Sequence, residues 1–170
     1  MRFRFSRATL GLVSLACILA GATGCSEEPI DGYLVPRSYV TAIDGAPDTL
    51  SLSGQALVID AWLGRDFMPT APSDGRPLSA GVFLRTVTGD SVAVQPADPA
   101  LFVIYGDEVW VVPAAMRRAS AYAPRDGYDI FAGNGPKWGP YVFADVVGTF
   151  AADGATWTLA AHEVPIHRSE

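Results

Sequence analysis

Thiols, imidazoles and primary amines are all scarce in this 170-residue chain. It carries two cysteines (Cys17 and Cys25), two histidines (His162 and His167) and one lysine, Lys137. Two cysteines allow at most one disulfide, so a stapled framework is excluded and the fold must rest on packing. The histidines sit near the C-terminus, five apart and separated by Pro165, so they do not face one another on one strand or helix turn. A metal pair there would need a carboxylate from elsewhere, Glu163 or a loop aspartate. The reading adopted is a solvated terminal strand and tail. Motifs are missing too: there is no Gly-x-Ser-x-Gly elbow, no His-Glu-x-x-His, no phosphate-cradling Gly-rich loop and no Cys-x-x-Cys. The expectation is a non-enzymatic protein with no cofactor and no metal.

A long hydrophobic run is also lacking. The uncharged stretch from Ala8 to Gly24 has 17 positions, several of them Gly, Ser or Thr, whereas a spanning helix takes roughly 20 predominantly apolar residues. Arg2, Arg4 and Arg7 precede it. Glu27, Glu28 and Asp31 follow it, where a stop-transfer segment would be basic. Charged, then apolar, then small is the order of a secretory signal, residues 1–24 here. Its end, Ala22-Thr23-Gly24-Cys25, resembles the lipobox of bacterial lipoproteins. The resemblance covers the first 25 residues. It implies cleavage before Cys25, a thioether-linked diacylglycerol on the Cys25 sulfur and an acylated new N-terminus. Ala22 stands where Leu is usual, and Ser26 stands where Asp would favour inner-membrane retention. In a Gram-negative host this implies an outer-membrane protein facing the periplasm.

Such processing leaves 146 residues and moves the formal charge from −6 to −9. An acidic surface argues against nucleic acid and against anionic head groups. The partners expected are the membrane, through the lipid on Cys25, and an envelope protein or glycan. Acylation of Cys25 also removes the last thiol, which excludes an internal disulfide and a Cys–His nucleophile. Residues 25–32 form a short tether, and Ser26 to Gly32 reach about 25 Å at most.

Residues 33–170 read as one domain in which short apolar runs alternate with turn signals. Tyr33 to Ile43, broken by Pro36, suits an edge strand or lead-in segment. Thr49 to Leu52 and Ala56 to Leu63 read as strands joined at Ser53-Gly54-Gln55. Val82 to Val87 and Val92 to Val94 flank Thr88-Gly89-Asp90-Ser91. Leu101 to Tyr105 and Val109 to Val112 flank Gly106-Asp107, a hairpin signal. Tyr122-Ala123 and Tyr128 to Phe131 flank a Pro-Arg-Asp-Gly turn. Tyr141 to Phe150 and Thr156 to Ala161 flank Ala151-Ala152-Asp153-Gly154, with Gly148 a candidate bulge. Trp157, Leu159 and Ala161 alternate with polar neighbours, giving one buried face. Pro113 to Ala123 allows a helix or a strand, and turn spacing favours the strand from Arg117. This punctuation predicts an all-β fold, an antiparallel β-sandwich of immunoglobulin-like or transthyretin-like type.

Candidate chemistry lies in two loops and a few acids. Gly64 to Ala80 carries Phe67 and Met68 among three prolines, and long loops in compact domains are often functional. The alternative is that Phe67 and Met68 plug one end of the fold. Gly133 to Pro140 carries Trp138, followed by Tyr141. Trp138 is either a ligand platform or, as favoured here, a corner anchor. Phe67, Met68, Trp138 and Tyr141 are thus the candidate ligand-binding residues of an envelope carbohydrate-binding module or accessory hydrolase. Asp60 and Asp145 lie inside apolar runs. They are the candidate acid and base of a hydrolase, though a solvent-facing position or an arginine partner is the commoner explanation. Asp126 and Asp129 bracket a turn glycine and are the candidates for Ca²⁺ in an adhesion or assembly module, against the ordinary use of Asp in turns.

Overall fold

The computed structural model describes residues 30–113, 115–118 and 126–170. The signal segment, Cys25 and most of the tether lie outside them. Within them the protein is all-β, 56% strand and 4% helix. No helix among the described residues is long and apolar enough to cross a membrane.

The described residues form ten strands: β1 Tyr33–Pro36, β2 Leu50–Leu52, β3 Gln55–Asp66, β4 Ser79–Thr86, β5 Ala97–Tyr105, β6 Glu108–Pro113, β7 Ala115–Arg118, β8 Tyr128–Ala132, β9 Phe143–Ala152 and β10 Ala155–Ser169. They follow one hydrogen-bonded path, β1-β6-β5-β9-β10-β3-β4-β8-β7, with β2 added beside β3. The path curls into a half-barrel. Every pairing is antiparallel except β10 with β3, which run parallel from Ile166 against Leu63 to Ser169 against Asp66. β1 and β7 stand at the two ends of the path, and β6, next to β1, is followed in sequence by β7.

Turn chemistry delivers the hairpins where the sequence puts them. Ala152 pairs Ala155 across Asp153-Gly154, and both turn residues have positive φ, 51° and 76°. That is the two-residue turn whose twist matches the strands, and Gly tolerates it without a Cβ penalty. Tyr105 pairs Glu108 across Gly106-Asp107, a two-residue turn in which Gly106 alone has positive φ, 59°.

Three expectations change. Tyr33 to Ile43 is an edge strand only to Pro36; two single 3-10 turns follow, Arg37–Tyr39 and Thr41–Ile43. Val92 and Val94 do not form a strand, but both are buried in the core. Gly148 sits in regular register between Leu101 and Leu159, so it is no bulge. The bulge lies on β10 between Ala161 and Val164, where Glu163 has φ 52° and its N–H donates to Asp145 at 3.0 Å. Finally, Ala115–Arg118 is strand, as the turn spacing favours, while residues 119–123 lie outside the described residues.

The bulge has a packing consequence. Before it, Trp157, Leu159 and Ala161 face the core; after it, Val164 and Ile166 do. One extra residue flips the parity of a strand. It lets β10 keep apolar residues inward while it leaves β9 for β3. The main core fills the curl, with Leu57, Leu63, Leu84, Leu101, Val103, Trp110, Val146 and Leu159 essentially inaccessible to water. A second, smaller cluster lies on the outside of the β5-β6-β9-β10 half. There Ile43, Val40 and Ala46 cover Ile104, Val109, Val111, Val147 and Ala160.

Candidate ligand-binding face

The two outer surfaces of the curl are treated differently. The chain from Val40 to Ala46 covers one. The other, on β3, β4 and β8, has no such cover among the described residues and carries large aromatics. Alternation on β3 sends Leu57, Ile59 and Leu63 inward and Asp60 and Trp62 outward. On β8 it sends Ile130 and Ala132 inward and Phe131 outward. Registration then aligns Trp62, Gly81 and Phe131 across the three strands, with Asp60, Phe83 and Asp129 in the next row. Trp62 is 47% exposed and Phe131 63%, although each occupies mid-sheet positions.

The result is an open groove of about 440 Å³ lined by Asp60, Trp62, Gly81, Phe83, Asp129 and Phe131. Its geometry depends on two glycines. A Cβ on Gly64 would lie 2.5 Å from Cζ2 of Trp62, and one on Gly81 would lie 3.7 Å from its Cε3. The indole therefore lies down over the sheet surface, with its other face turned to water. The Asp60 carboxylate, 44% exposed, accepts from Arg85 Nε at 2.6 Å and Nη2 at 2.9 Å. This two-pronged bond holds the guanidinium charge and raises its pKa. Phe131 also borders a second cavity, about 780 Å³, lined by Asp31, Tyr33, Ser79, Val112 and Asn134 among others.

Three of the four tryptophans have an acceptor for the indole N–H within the protein. Trp110 donates to the Asp31 carbonyl at 2.7 Å, Trp157 to the Ala152 carbonyl at 3.1 Å and Trp138 to the Glu108 carboxylate at 3.1 Å. Trp62 Nε1–H meets no acceptor among the described residues.

The four residues proposed from sequence are not on this groove. Trp138 packs half-buried against the core, its ring 5.5 Å from that of Tyr105, and so serves as the corner anchor. Phe67 is half-buried, with the guanidinium carbons of Arg65 and Arg168 at 5.1 and 4.2 Å from its ring centre. Such cation–π contacts fix a ring rather than leave it free. Met68 and Tyr141 are exposed, at 43% and 75%, on separate loops. In the same loop as Met68, Leu78 is fully buried in the main core.

Arg65 explains why the two long loops exist as one unit. It is 4% exposed, and its donors reach the carbonyls of Arg76 (3.0 Å), Lys137 (3.1 Å), Gly139 (2.7 Å) and Asp74. Desolvation lowers its pKa, against the pull of Asp74. Lys137 Nζ also bonds Asp74 Oδ2 at 2.6 Å, and this bond holds the Asp74 carboxyl below its usual range. A depressed carboxylate stabilises the fold above the unfolded carboxylate pKa, and the gain disappears as pH falls through the folded value. Melting of wild type and Asp74→Asn, followed against pH, should therefore show a small, salt-sensitive difference at neutral pH that vanishes in acid. A difference that grows in acid would contradict this assignment.

The remaining candidates are occupied or scattered. Asp145 accepts from the Glu163 N–H and lies 3.4 Å from His162 Nδ1. Asp60 on β3 and Asp145 on β9 are separated in the path by β10, and Asp145 does not line the Asp60 groove. Asp126 accepts from Ser91 Oγ at 2.6 Å, while Asp129 faces outward on β8. Among the described residues no three His, Cys, Asp or Glu side chains gather as a metal cluster. His162 and His167 are exposed, and His167 lies in the strand paired with Gly64, not in a free tail. The tether is also fastened earlier than its sequence suggests: the Asp31 N–H donates to the Asn134 carbonyl at 3.0 Å.

No family model matches the chain, and neither the characterised proteins nor the solved structures contain a significant match to it.

Proposed function

We propose that this protein is exported, anchored to the cell envelope by a lipid on Cys25, and binds a partner without chemical turnover through the bare outer face of β3, β4 and β8. One contrast carries the reading: one outer face of the curl is covered by the protein's own chain, and the other keeps Trp62 and Phe131 open to water. Mid-sheet aromatics left bare next to ordered polar groups are the usual composition of a binding surface. The engagement of Asp60 with Arg85, and of Asp145 with Glu163 and His162, favours binding over hydrolysis, because neither carboxylate is left poised near a reacting group. The signal-like segment and the acidic surface support anchoring by lipid rather than by charge.

The test is photocrosslinking in the native membrane. A benzoyl-phenylalanine placed at Phe131 should capture a partner, whereas the same probe at Tyr39, next to the covered face, should not. Equal capture from both positions, or turnover of an envelope substrate abolished by Asp60→Asn or Asp145→Asn, would overturn the reading. Mass analysis of the mature N-terminus should show a doubly or triply acylated Cys25, and an unmodified Cys25 would remove the anchor.

A further inference from the structure

The groove is suited to one class of ligand. We infer that the Trp62–Phe131 face takes a glycan chain, with a pyranose ring stacked on Trp62 and the chain continuing across Phe131. This rests on the reading of that face as the binding surface and adds the chemistry of its occupant.

Four observations point the same way. First, the indole of Trp62 lies over Gly64 and Gly81 and offers a flat face to water. A flat aromatic face complements the row of C–H groups on one side of a pyranose ring, since the ring quadrupole is negative over its face. Second, the groups around the groove both donate and accept. Trp62 Nε1–H lacks an acceptor among the described residues, Asp60 is held in place by Arg85, and Asp129 is exposed beside them. Hydroxyl groups, which donate and accept at once, match such a rim. Third, Trp62 and Phe131 stand two strand spacings apart, about 10 Å, which suits a ligand longer than one ring. Fourth, beyond Phe131 the surface opens into the larger cavity, where Ser79, Asn134 and Tyr33 supply further polar groups.

Other occupants fit less well. An extended peptide pairs with a strand edge, but β4 and β8, which form the middle and far side of the groove, have strand neighbours on both sides. An anionic lipid surface would meet an acidic protein.

The experiment uses the full acylated chain in a non-ionic, sugar-free detergent, with chitohexaose and cellohexaose as probes in titration calorimetry. At least one hexasaccharide should bind. Trp62→Ala should weaken that binding about tenfold or more. Gly64→Ala should weaken it while keeping the indole, because its Cβ would push Trp62 off the sheet. Tyr39→Ala, on the opposite outer region, should bind as wild type. Circular dichroism keeps the variants comparable. Absence of binding to both sugars, or binding that Trp62→Ala leaves intact, overturns the glycan inference. If capture from Phe131 persists in that case and the captured species is a protein, the binding-face reading stands without the glycan. If capture fails as well, both fall.

Discussion

Arg65→Met is expected to lower the stability of the domain by about 3 kcal/mol or more, measured by denaturant unfolding with the slope unchanged. Methionine keeps most of the apolar stem, so the loss isolates the guanidinium. Four backbone carbonyls, those of Asp74, Arg76, Lys137 and Gly139, lose their donor together. Each hydrogen bond to a charged group contributes about 1.5–3 kcal/mol. Water entering the partly buried site recovers a share, so the sum is an upper bound. A buried charge would ordinarily be a doubtful source of stability, because desolvation offsets Coulomb attraction. Here the charge has a full set of acceptors, and it joins residues 9 to 74 positions away in sequence. Both long loops should therefore loosen together, which amide hydrogen exchange at Gly75 and Gly135 would report. A variant that unfolds at the wild-type midpoint would show that the loops hold each other without Arg65.

Trp110→Ala should cost about 3–5 kcal/mol, the range for emptying a fully buried aromatic site. Trp110 has no exposed surface, and its ring sits in the main core. Its Nε1–H also fixes the Asp31 carbonyl, the first well-anchored residue after the tether. Trp110→Phe separates the two roles. It keeps most of the apolar volume and leaves the Asp31 carbonyl without its donor, an expected loss of about 1–3 kcal/mol. If Trp110→Phe melts as wild type, the fastening of Asp31 rests on Asn134 alone. For a domain of this size, each kcal/mol moves the melting temperature by roughly 2–8 °C, so the two variants should be resolved by scanning calorimetry.

The positions of the aromatics show where local reading stops. Trp138 draws attention because Gly and Pro surround it, yet it is a corner anchor with its N–H on Glu108. Trp62 draws none because it sits in an apolar run, yet it is the one on the bare face. A signal for it was present. Trp62-x-Gly64 and Phe131-x-Gly133 each place an aromatic on the polar side of an alternating strand, two residues before a glycine. Period-two counting of the kind applied to Trp157 and Leu159 would have put Trp62 outside, beside Asp60.

The sequence by itself determined the strands and most of the hairpins. Turns such as Asp153-Gly154 and Gly106-Asp107 are short-range events, set by residues that accept positive φ, and alternation is set by strand geometry. It also determined the acidity and the scarcity of thiols. Only the tertiary structure decided which strands neighbour which. The parallel contact of β10 with β3 joins residues more than 100 positions apart, and no local pattern encodes it. The bulge at Glu163, which switches the inward residues of β10 from odd to even numbers, depends on Asp145 across the ladder. The bare face follows from the same arrangement: segment 40–46 lies over one outer side of the curl, and nothing in the described chain lies over the other. Exposure of Trp62 and Phe131 is thus a property of long-range packing, which is why a one-dimensional reading placed the binding residues on the loops instead.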